Sequence, residues 1–520
     1  MLFSRTFLSV CFLACGLASP VTISGRNQPE GKVSWGPCDI ANATLPIQCG
    51  TLGVPLDYTD SKSNETLNLQ LLKVPAINGP SKGSILFNFG GPGLGARANL
   101  AGAAKILQTL TGGHHDLIAH DPRGTESTLT FSCFKNNNER LAAFSNARYG
   151  ELLSPKERAP LGRLWSTASI FADICDRYPE SNQRGKLIST AFTARDLMQI
   201  VDALEEDGLL RYWGLSYGTV LGATVAAMFP DRIDRMIIDG VVNFHDYYNG
   251  YDIEVWTDTD KVFSAFLQQC VKSPRECALA RPGLTAPRLE KSIYKLLDNI
   301  KYQPLVFNNT LIDHSVAKNL IRPNLYAPPK WPLLSRALEN LRTGNLTGFM
   351  ENSISLSPPW EKGIPTESPF GIPCSEKETG LNRLDQIQST IKSLDKESKL
   401  LGQVGIPLAM TCTRWKTKAN ERYSGDFDVK TKFPILVIGN TFDPATSFPS
   451  AQNASATFDG SVLLEHGGYG HTSLNHGSVC TGKAVKEYFM EGILPKPNTV
   501  CEPAYPPFAK KTWEDILDQI

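Results

Sequence analysis

The pentapeptide Gly214–Gly218 (GLSYG) is the stretch of this chain whose residue types point most directly to chemistry. It fits the pattern G-x-S-x-G, in which a serine stands at the tip of a tight turn between a strand and a helix. A Cβ atom on either glycine is predicted to collide with the neighbouring strand or helix. An apolar run precedes the pentapeptide and small residues follow it at helical spacing, so the pattern predicts that Ser216 is a nucleophile. The alternative is an ordinary junction with a solvated serine, because such pentapeptides also arise by chance.

Asp443 and His471 are the side chains that could activate this serine. A serine hydroxyl is a weak nucleophile near neutral pH; it needs an imidazole to accept its proton and a carboxylate to orient that imidazole. In doubly wound sheets with this motif the chain order is serine, acid, histidine, each after a strand. Asp443 and His471 meet that order, and both follow apolar runs. We therefore predict Ser216, Asp443 and His471 as the catalytic residues.

Competing residues exist for the acid and the base. Asp239 also follows a strand, but this strand comes directly after the serine motif, which favours a structural role. His466 is predicted to end its strand and His476 to begin the following helix, so His471 is preferred over both. The three histidines are evenly spaced, yet this spacing does not align them on one helical face and no acidic pattern nearby completes a metal site.

A glycine-rich loop, Gly90–Gly95 (GGPGLG), follows the apolar run Gly83–Phe89. Such a loop can bring its backbone close to a ligand and direct N–H groups at an anion. Beside a serine nucleophile the anion is the oxygen of a tetrahedral intermediate, held by one loop amide and by the amide after the serine. We predict Gly91 and Tyr217 as these donors, because Pro92 has no N–H. A plain turn and a phosphate loop are the alternatives, the latter disfavoured because no Gly-Lys-Ser/Thr follows.

Alternating strands and helices must position these residues. An antiparallel opening from about residue 35 to residue 74 precedes the glycine loop, and Asp121 and Arg123 are predicted to pair with each other and brace nearby loops. The helix Thr190–Leu204 leads to the serine motif. The predicted later strands are Asp116–His120, Arg235–Val241, Phe433–Gly439 and Ser461–Glu465. This alternation predicts an α/β protein with a doubly wound, mostly parallel sheet.

The character of the chain changes from about Phe244 to Gln403, where helical patterns dominate and proline-rich joints interrupt them. We interpret this segment as a helical cap, inserted into the sheet domain, that covers the site and selects the substrate. The predicted division is a signal peptide at 1–18, the first part of the core at 19–245, the cap at 246–403 and the second part of the core at 404–520.

The first residues predict export. Arg5 precedes an apolar run, and small residues follow with cleavage predicted after Ala18, which is the order of a secretory signal peptide. No later stretch is apolar over the roughly 18 residues that a membrane span needs. Lysine plus arginine equal aspartate plus glutamate at 52 each, so the charge gives no reason to expect a nucleic-acid partner. The mature protein is predicted to be secreted and extracellular.

The cysteines and glycosylation signals agree with export. Of the 12 cysteines, Cys11 and Cys15 leave with the signal, and the even number that remains favours disulfides. A zinc cluster would need short C-x-x-C pairs, which are absent. The simplest pairing is in chain order: Cys38–Cys49, Cys133–Cys175, Cys270–Cys277, Cys374–Cys412 and Cys480–Cys501. Sequons for N-glycosylation occur at Asn42, Asn64, Asn308, Asn345 and Asn453.

Together these motifs resemble the secreted tripeptidyl-aminopeptidase-like branch of the prolyl-aminopeptidase family, which has the α/β-hydrolase fold. The resemblance runs from about Trp35 to Phe508 and includes FNFGGPGLG, DPRGT, TARDL, GLSYGT, ILVIGNTFDPAT and GYGHTSL. The segment from Cys480 to Cys501 is similar to the TAP-like C-terminal region. Phe89 departs from the proline that often precedes the paired glycines, and the cap also departs from the commoner pattern.

This resemblance implies roles for the site residues. Ser216 would be the nucleophile, His471 the general base and Asp443 the acid, with Gly91 and Tyr217 forming the oxyanion hole and no metal or organic cofactor. The leading expectation is a serine hydrolase that releases amino acids or tripeptides from free peptide N-termini through an acyl-enzyme. The alternatives are a carboxylesterase or secondary-metabolite tailoring hydrolase with the same triad, and an inactive binding protein on the same fold. Candidates to receive a substrate ammonium in the cap are Glu254, Glu276 and Glu339.

Overall fold

The computed structural model describes residues 31–147, 151–356, 367–378, 381 and 383–520, so the predicted signal peptide lies outside the described residues. The strands are β1 (Ser34–Pro37), β2 (Gln48–Pro55), β3 (Thr66–Val74), β4 (Ser84–Asn88), β5 (Asp116–His120), β6 (Leu210–Leu215), β7 (Ile233–Asp239), β8 (Leu305–Phe307), β9 (Thr310–Ile312), β10 (Leu436–Phe442), β11 (Val462–Tyr469) and β12 (Val500–Cys501). Ten of them form one sheet in the order β1-β2-β3-β5-β4-β6-β7-β10-β11-β12, and β8 and β9 form a separate hairpin.

The large sheet is antiparallel at one edge and parallel elsewhere. The strands β1, β2, β3 and β5 pair antiparallel in that order, whereas every pair from β5 through β4 to β12 is parallel. The predicted antiparallel opening and the predicted mostly parallel sheet are both confirmed.

Helices fill the connections between the parallel strands. They are α1 (Arg97–Leu110), α2 (Asn137–Ala147), α3 (Arg158–Arg177), α4 (Pro179–Gly185), α5 (Thr190–Ala203), α6 (Tyr217–Met228), α7 (Phe244–Asn249), α8 (Thr259–Lys272), α9 (Ala286–Tyr302), α10 (His314–Leu325), α11 (Trp331–Thr343), α12 (Leu346–Leu356), α13 (Ser368–Glu376), α14 (Gln388–Glu397), α15 (Gly405–Arg414), α16 (Phe448–Thr457) and α17 (Val479–Glu491).

The sheet is covered on both faces, which explains the uninterrupted apolar runs of its central strands. All five residues of β4 are buried. Successive side chains of a strand point to opposite faces, so Leu86 and Tyr212 join a core with α5 and α6. Their neighbours Phe87 and Trp213 join a second core with α1 and α17.

The region of the predicted cap has a third hydrophobic core, formed mainly by α8, α9, α10 and α11. This core also takes Leu161 and Leu164 from α3, Ile406 from α15 and Phe508 from near the C-terminus. Residues outside 246–403 therefore contribute to it, and the division of the chain into domains stays a prediction.

Several predicted boundaries near the site are wrong, and two of them concern the competing histidines. Strand β11 continues past Glu465 to Tyr469, because it stays paired with β10 up to Phe442 and pairs at Glu465 and His466 with the short strand β12. The sequence offers no signal for β12. His466 therefore lies inside its strand rather than at its end. His476 lies in the loop before α17, which begins at Val479, and not in that helix.

The five disulfides join the cysteines in chain order, as predicted: Cys38–Cys49, Cys133–Cys175, Cys270–Cys277, Cys374–Cys412 and Cys480–Cys501. Each closes a loop of 42 residues or fewer. A disulfide that closes such a loop lowers the conformational entropy of the unfolded chain. This stabilises the folded protein by a few kcal/mol, on the order of 3 kcal/mol for a loop of 15 residues.

Candidate active site

Ser216 stands at the turn between β6 and α6 in a strained conformation, with φ 58° and ψ −125°. A Cβ atom on Gly214 would lie 2.2 Å from the carbonyl oxygen of Gly218, and one on Gly218 would lie 2.6 Å from the carbonyl oxygen of Asn88. These are the collisions that the motif predicts. Ser216 is the only residue of the pentapeptide that is not buried.

Asp443 and His471 lie in contact beyond the ends of β10 and β11. The Nδ1 atom of His471 is 3.0 Å from both carboxylate oxygens of Asp443. The carboxylate also accepts hydrogen bonds from the amides of Ala445, Thr446 and Thr472 and from the Thr446 hydroxyl, at 2.8 to 2.9 Å. Burial raises the pKa of Asp443, but His471 and these donors outweigh it, so the pKa lies below its ordinary value.

The loop that carries His471 meets the strand end beside Ser216. The amide of Ser216 donates to the carbonyl of Asp239 at 3.0 Å. The next residue, Gly240, lies against Thr472, since a Cβ there would be 2.7 Å from the Thr472 methyl group. These contacts bring the three predicted catalytic residues to one edge of the sheet.

The structure does not bring Ser216 and His471 into hydrogen-bond contact. Within the described ranges, the hydrogen bonds of the His471 ring are those of Nδ1, to Asp443 and to the Thr446 hydroxyl at 3.3 Å. Tyr326 lies over the ring, with centroids 4.9 Å apart, and its carbonyl accepts the His471 amide at 2.8 Å. In structures without substrate, such catalytic hydrogen bonds are often long and tighten only in the complex.

The glycine loop lies directly against the serine turn. A Cβ atom on Gly90 would be 2.8 Å from the Ser216 Cβ and 3.0 Å from the Tyr217 amide nitrogen. The amide of Gly90 donates to the Asn88 side chain at 2.9 Å. Gly91 is therefore the first residue of the loop whose amide is not used in this way, and its φ of 111° is one that only glycine adopts readily.

The competing residues have other partners. Asp239 accepts the amide and the hydroxyl of Ser473, at 2.9 and 2.6 Å, and its burial raises its pKa to about 6. His466 contacts the Thr481 hydroxyl at 2.8 Å, and its burial lowers its pKa to about 3. His476 lies 2.7 Å from the Tyr505 carbonyl, and burial lowers its pKa to about 4. All three side chains are buried, and these contacts engage them.

The predicted pair of Asp121 with Arg123 is wrong, although both residues brace the loops. Asp121 pairs with Arg97 at 2.6 Å and accepts the amides that begin α1. Arg123 is fully buried and pairs through two hydrogen bonds with Asp196 of α5, at 2.6 and 2.9 Å. The two side chains lie in the loop after β5 and contact different helices, Asp121 the start of α1 and Arg123 the helix α5.

Two segments from the predicted cap reach the site. A Cβ atom on Gly93 would lie 2.9 Å from Pro369 at the start of α13, so this helix rests on the glycine loop. A Cβ atom on Gly470 would lie 2.4 Å from the Tyr326 carbonyl oxygen, next to His471. The candidate ammonium receptors have other surroundings. Glu254 accepts from two asparagines, Glu339 pairs with two arginines, and Glu276 is exposed beside a disulfide.

Several site residues carried no sequence signal. Asn88, Thr446 and Tyr326 hold the glycine loop, the acid and the histidine through the contacts given above. Tyr326 falls in a proline-rich joint that the sequence marks only as a break between helices. Within the described ranges, no group of three or more His, Cys, Asp or Glu side chains is placed to hold a metal ion. No helix of the described residues is long and apolar enough to cross a membrane.

Comparisons with known proteins agree with this architecture. A family model described as "alpha/beta hydrolase fold" matches residues 84–271, and one described as "TAP-like protein" matches residues 398–501. The chain is 26% identical over 498 residues to the "Serine protease Hip1" of Mycobacterium tuberculosis, covering 90% of this chain and 91% of that protein.

Two other relatives differ in how much of the chain they match. The "Tripeptidyl aminopeptidase" of Streptomyces lividans is 29% identical over 231 residues, covering 44% of this chain and 41% of that protein. The "Carboxylesterase B" of Mycobacterium tuberculosis is 25% identical over 522 residues, covering 94% of each.

The chain belongs to the α/β hydrolases. Within them it is a TAP-like α/β hydrolase, and its enzyme class is that of the serine hydrolases. The fold class and the family resemblance predicted from the sequence are confirmed.

Proposed function

We propose that this protein is a secreted serine aminopeptidase that releases amino acids or tripeptides from free peptide N-termini. In this proposal Ser216 is the nucleophile, His471 the general base and Asp443 the acid that orients the histidine. The observation that carries it is the 3.0 Å contact of His471 Nδ1 with both oxygens of the buried Asp443, at the sheet edge where Ser216 turns outward.

This contact determines which nitrogen can act as the base. A carboxylate only accepts hydrogen bonds, so His471 carries its proton on Nδ1 and has a free lone pair on Nε2. The Ser216 Oγ atom attacks the scissile carbonyl carbon, and its proton passes to Nε2. The C–N bond then breaks, Nε2 gives the proton to the departing amine, and an acyl-enzyme remains on Ser216. Water hydrolyses this ester by the same transfers.

The backbone supports the charge that develops on the carbonyl oxygen. Gly90, which precedes Gly91 in the chain, lies against Ser216 and against the Tyr217 amide nitrogen. An oxyanion bound by two amides is stabilised more than the neutral carbonyl, and one such donor typically contributes about 10²- to 10³-fold in rate. We assign this role to Gly91 and Tyr217.

The substrate class is supported by similarity to the tripeptidyl aminopeptidase and to the serine protease. Similarity over 94% of the chain to a carboxylesterase favours one second candidate: an esterase, or a tailoring hydrolase for a small metabolite, with the same three residues. Both candidates need the same chemistry at Ser216 and differ in the group that binds beyond the scissile bond.

Export is supported by the five disulfides, since such bonds persist in oxidising compartments. The asparagines of all five sequons are exposed and accessible to glycosylation: Asn42, Asn64, Asn308, Asn345 and Asn453. We propose that the protein is secreted and N-glycosylated, with peptides or small esters as substrates and no nucleic-acid partner.

The test compares three substrates with purified mature protein: a tripeptide nitroanilide with a free amino end, its N-acetylated counterpart, and a short-chain nitrophenyl ester. An aminopeptidase should cleave the free peptide and lose most of this rate on acetylation. Turnover of the ester alone, or equal peptide rates, would establish the second candidate instead.

Two variants accompany this assay. Ser216→Ala should abolish hydrolysis of every substrate, whereas Ser166→Ala, on the exposed face of α3, should leave it unchanged. Activity that persists in folded Ser216→Ala would refute the assignment of the nucleophile.

A further inference from the structure

Glu376, the last residue of α13, is a buried carboxyl group that the proposed mechanism does not use. Its side chain is fully buried. The Oε2 atom accepts the Thr190 amide at 2.9 Å, and Oε1 accepts the Thr190 hydroxyl at 2.8 Å and the Tyr247 hydroxyl at 3.1 Å. A buried carboxyl group is costly unless its hydrogen bonds are satisfied, and here three donors converge on it.

These hydrogen bonds continue to the residue after the nucleophile. The Tyr217 hydroxyl lies 2.6 Å from Thr190 Oγ1. Because Thr190 donates its hydroxyl proton to Glu376, its oxygen is left to accept the proton of Tyr217. When Glu376 is ionised it only accepts hydrogen bonds, so it sets the direction of both bonds, from Tyr217 to Thr190 to Glu376. Burial raises the pKa of Glu376 to about 7, so this ionised form is present at and above neutral pH. The Tyr247 ring also packs against Tyr217, with centroids 5.8 Å apart.

The other end of the same helix contacts the glycine loop. A Cβ atom on Gly93 would lie 2.9 Å from Pro369 and 3.0 Å from Ser368, so this end of α13 packs closely against the loop. The Ser368 hydroxyl donates to the carbonyl of Gly124, which fixes this end to the core. The disulfide of Cys374 with Cys412 joins α13 to α15. One short helix therefore touches the surroundings of both proposed oxyanion donors, Gly91 and Tyr217.

We infer that Glu376 is a positioning residue for the oxyanion hole: through Thr190 it holds the Tyr217 side chain, and so keeps the Tyr217 amide directed at the reacting oxygen. This inference rests on the proposed function, because it assumes that hydrolysis at Ser216 uses this amide. It does not depend on whether the substrate is a peptide or an ester, since both pass through a tetrahedral oxyanion.

The substitution Glu376→Gln tests the direction of the hydrogen bonds while nearly preserving volume. A glutamine places an NH₂ group on one of the two oxygen positions. If the NH₂ group takes the Oε2 position, it faces the N–H of Thr190 and no hydrogen bond forms there. If it takes the Oε1 position, it donates to the Thr190 and Tyr247 hydroxyls. In the second case Thr190 would turn its proton toward Tyr217, and the link would lose its original polarity. Either outcome disturbs the support of Tyr217.

The kinetic effect should be confined to the transition state. Displacement of a catalytic group by a fraction of an ångström to 1 Å costs up to about 10²-fold. We therefore expect Glu376→Gln to lower kcat by about 10- to 100-fold on whichever substrate the wild type hydrolyses, with KM within about threefold. Affinity for a boronic acid that forms a tetrahedral adduct with Ser216 should fall in parallel with kcat/KM, whereas affinity for the product should not change.

Matched variants separate positioning from general damage. Glu378→Gln, two residues along at an exposed carboxylate, should leave kcat unchanged. Tyr217→Phe removes only the linking hydroxyl and should lower kcat similarly. The double variant of Glu376→Gln with Tyr217→Phe should lose no more than the larger single loss, because both break one link.

The inference fails if folded Glu376→Gln keeps the wild-type kcat and boronate affinity, or if the two losses multiply in the double variant. If Glu376→Gln does not fold, Tyr217→Phe alone decides, and a wild-type kcat would overturn the inference. Failure of the proposed function is distinct, because Ser216→Ala would then retain activity. Loss of activity in Ser216→Ala together with full activity in Glu376→Gln would reject only the role of Glu376.

Discussion

The substitution Asp443→Asn separates the chemical role of this carboxylate from its structural role. Its Oδ1 atom accepts the amides of Ala445 and Thr446, and Oδ2 accepts the Thr472 amide and the Thr446 hydroxyl. An asparagine keeps the shape but replaces one oxygen with an NH₂ group, which cannot accept these bonds.

The geometry favours one orientation of the new amide. An NH₂ group at the Oδ1 position would oppose two backbone amides, those of Ala445 and Thr446. At the Oδ2 position it would oppose only one backbone amide, that of Thr472, since the Thr446 hydroxyl can turn and accept and His471 Nδ1 keeps Oδ1 as an acceptor. The cheaper orientation leaves one buried N–H without an acceptor, which costs about 1–3 kcal/mol. The variant should therefore fold, with a lowered melting temperature.

The loss of activity should be much larger than this loss of stability. With a neutral amide beside it, His471 loses the negative charge that stabilises its protonated form during the transfer from Ser216. Removal of the orienting carboxylate in serine hydrolases lowers kcat by about 10⁴-fold, and we expect about 10³- to 10⁴-fold here. The assay is kcat on the preferred substrate, with melting temperature measured on the same preparations.

Asp239→Asn is the matched control, because Asp239 is equally buried at the same sheet edge but bonds Ser473 instead of a histidine. It should lower kcat by less than about tenfold. If folded Asp443→Asn kept more than a tenth of the wild-type kcat while Ser216→Ala was inactive, the assignment of the acid would be wrong. A greater loss in Asp239→Asn than in Asp443→Asn would identify Asp239 as the acid.

The pH dependence of stability gives an independent measurement. The pKa of Asp443 is lowered in the folded protein, so its carboxylate contributes stability that is complete above the unfolded value of about 3.9. This contribution is lost as the pH falls through the folded pKa. Because asparagine lacks it, the difference in melting temperature between wild type and Asp443→Asn should narrow below about pH 4. A difference that stays constant with pH would contradict the lowered pKa.

Two further substitutions test the framework around the site. Gly214→Ala should prevent folding or destabilise the protein severely, because the new Cβ would lie 2.2 Å from the Gly218 carbonyl oxygen. The control is Gly162→Ala in α3, where no atom lies within 4 Å of the new Cβ; it should stabilise the protein by about 0.5–1 kcal/mol. Arg123→Met should cost about 3–5 kcal/mol because it leaves Asp196 charged and buried, and adding Asp196→Leu should recover part of this loss. Thermal denaturation checks both, and equal stability of the two glycine variants, or no recovery in the double variant, would contradict the reasoning.

Features encoded locally could be predicted from the sequence. The turn at Ser216 needs glycine at two fixed offsets, so its pattern is visible in five residues. The positions of Asp443 and His471 follow from chain order and from the ends of parallel strands, which meet at one edge of a sheet. The disulfides follow chain order because each closes a loop short enough for its cysteines to meet on neighbouring elements.

Contacts between elements that are far apart in the sequence could not be predicted. Asp121 and Arg123 are close in the sequence and have opposite charges, so the local sequence predicts that they pair with each other. The structure instead directs Arg123 to Asp196, 73 residues away, because that pairing satisfies both charges in the interior. The position of His466 was mispredicted for a similar reason, since β12, which pairs with β11 at His466, is only two residues long.

Near the proposed oxyanion hole, the residue that the sequence did not reveal, Glu376, comes from the region of the predicted cap. Thr190 and Glu376 are 186 residues apart, and the sequence around Glu376 has no periodicity that marks it as functional. Its burial arises only when α13 packs between the glycine loop and α5, a position that the disulfide of Cys374 with Cys412 helps to fix. A nucleophile can be identified from a local turn, whereas the groups that align its transition state belong to whichever element packs behind that turn.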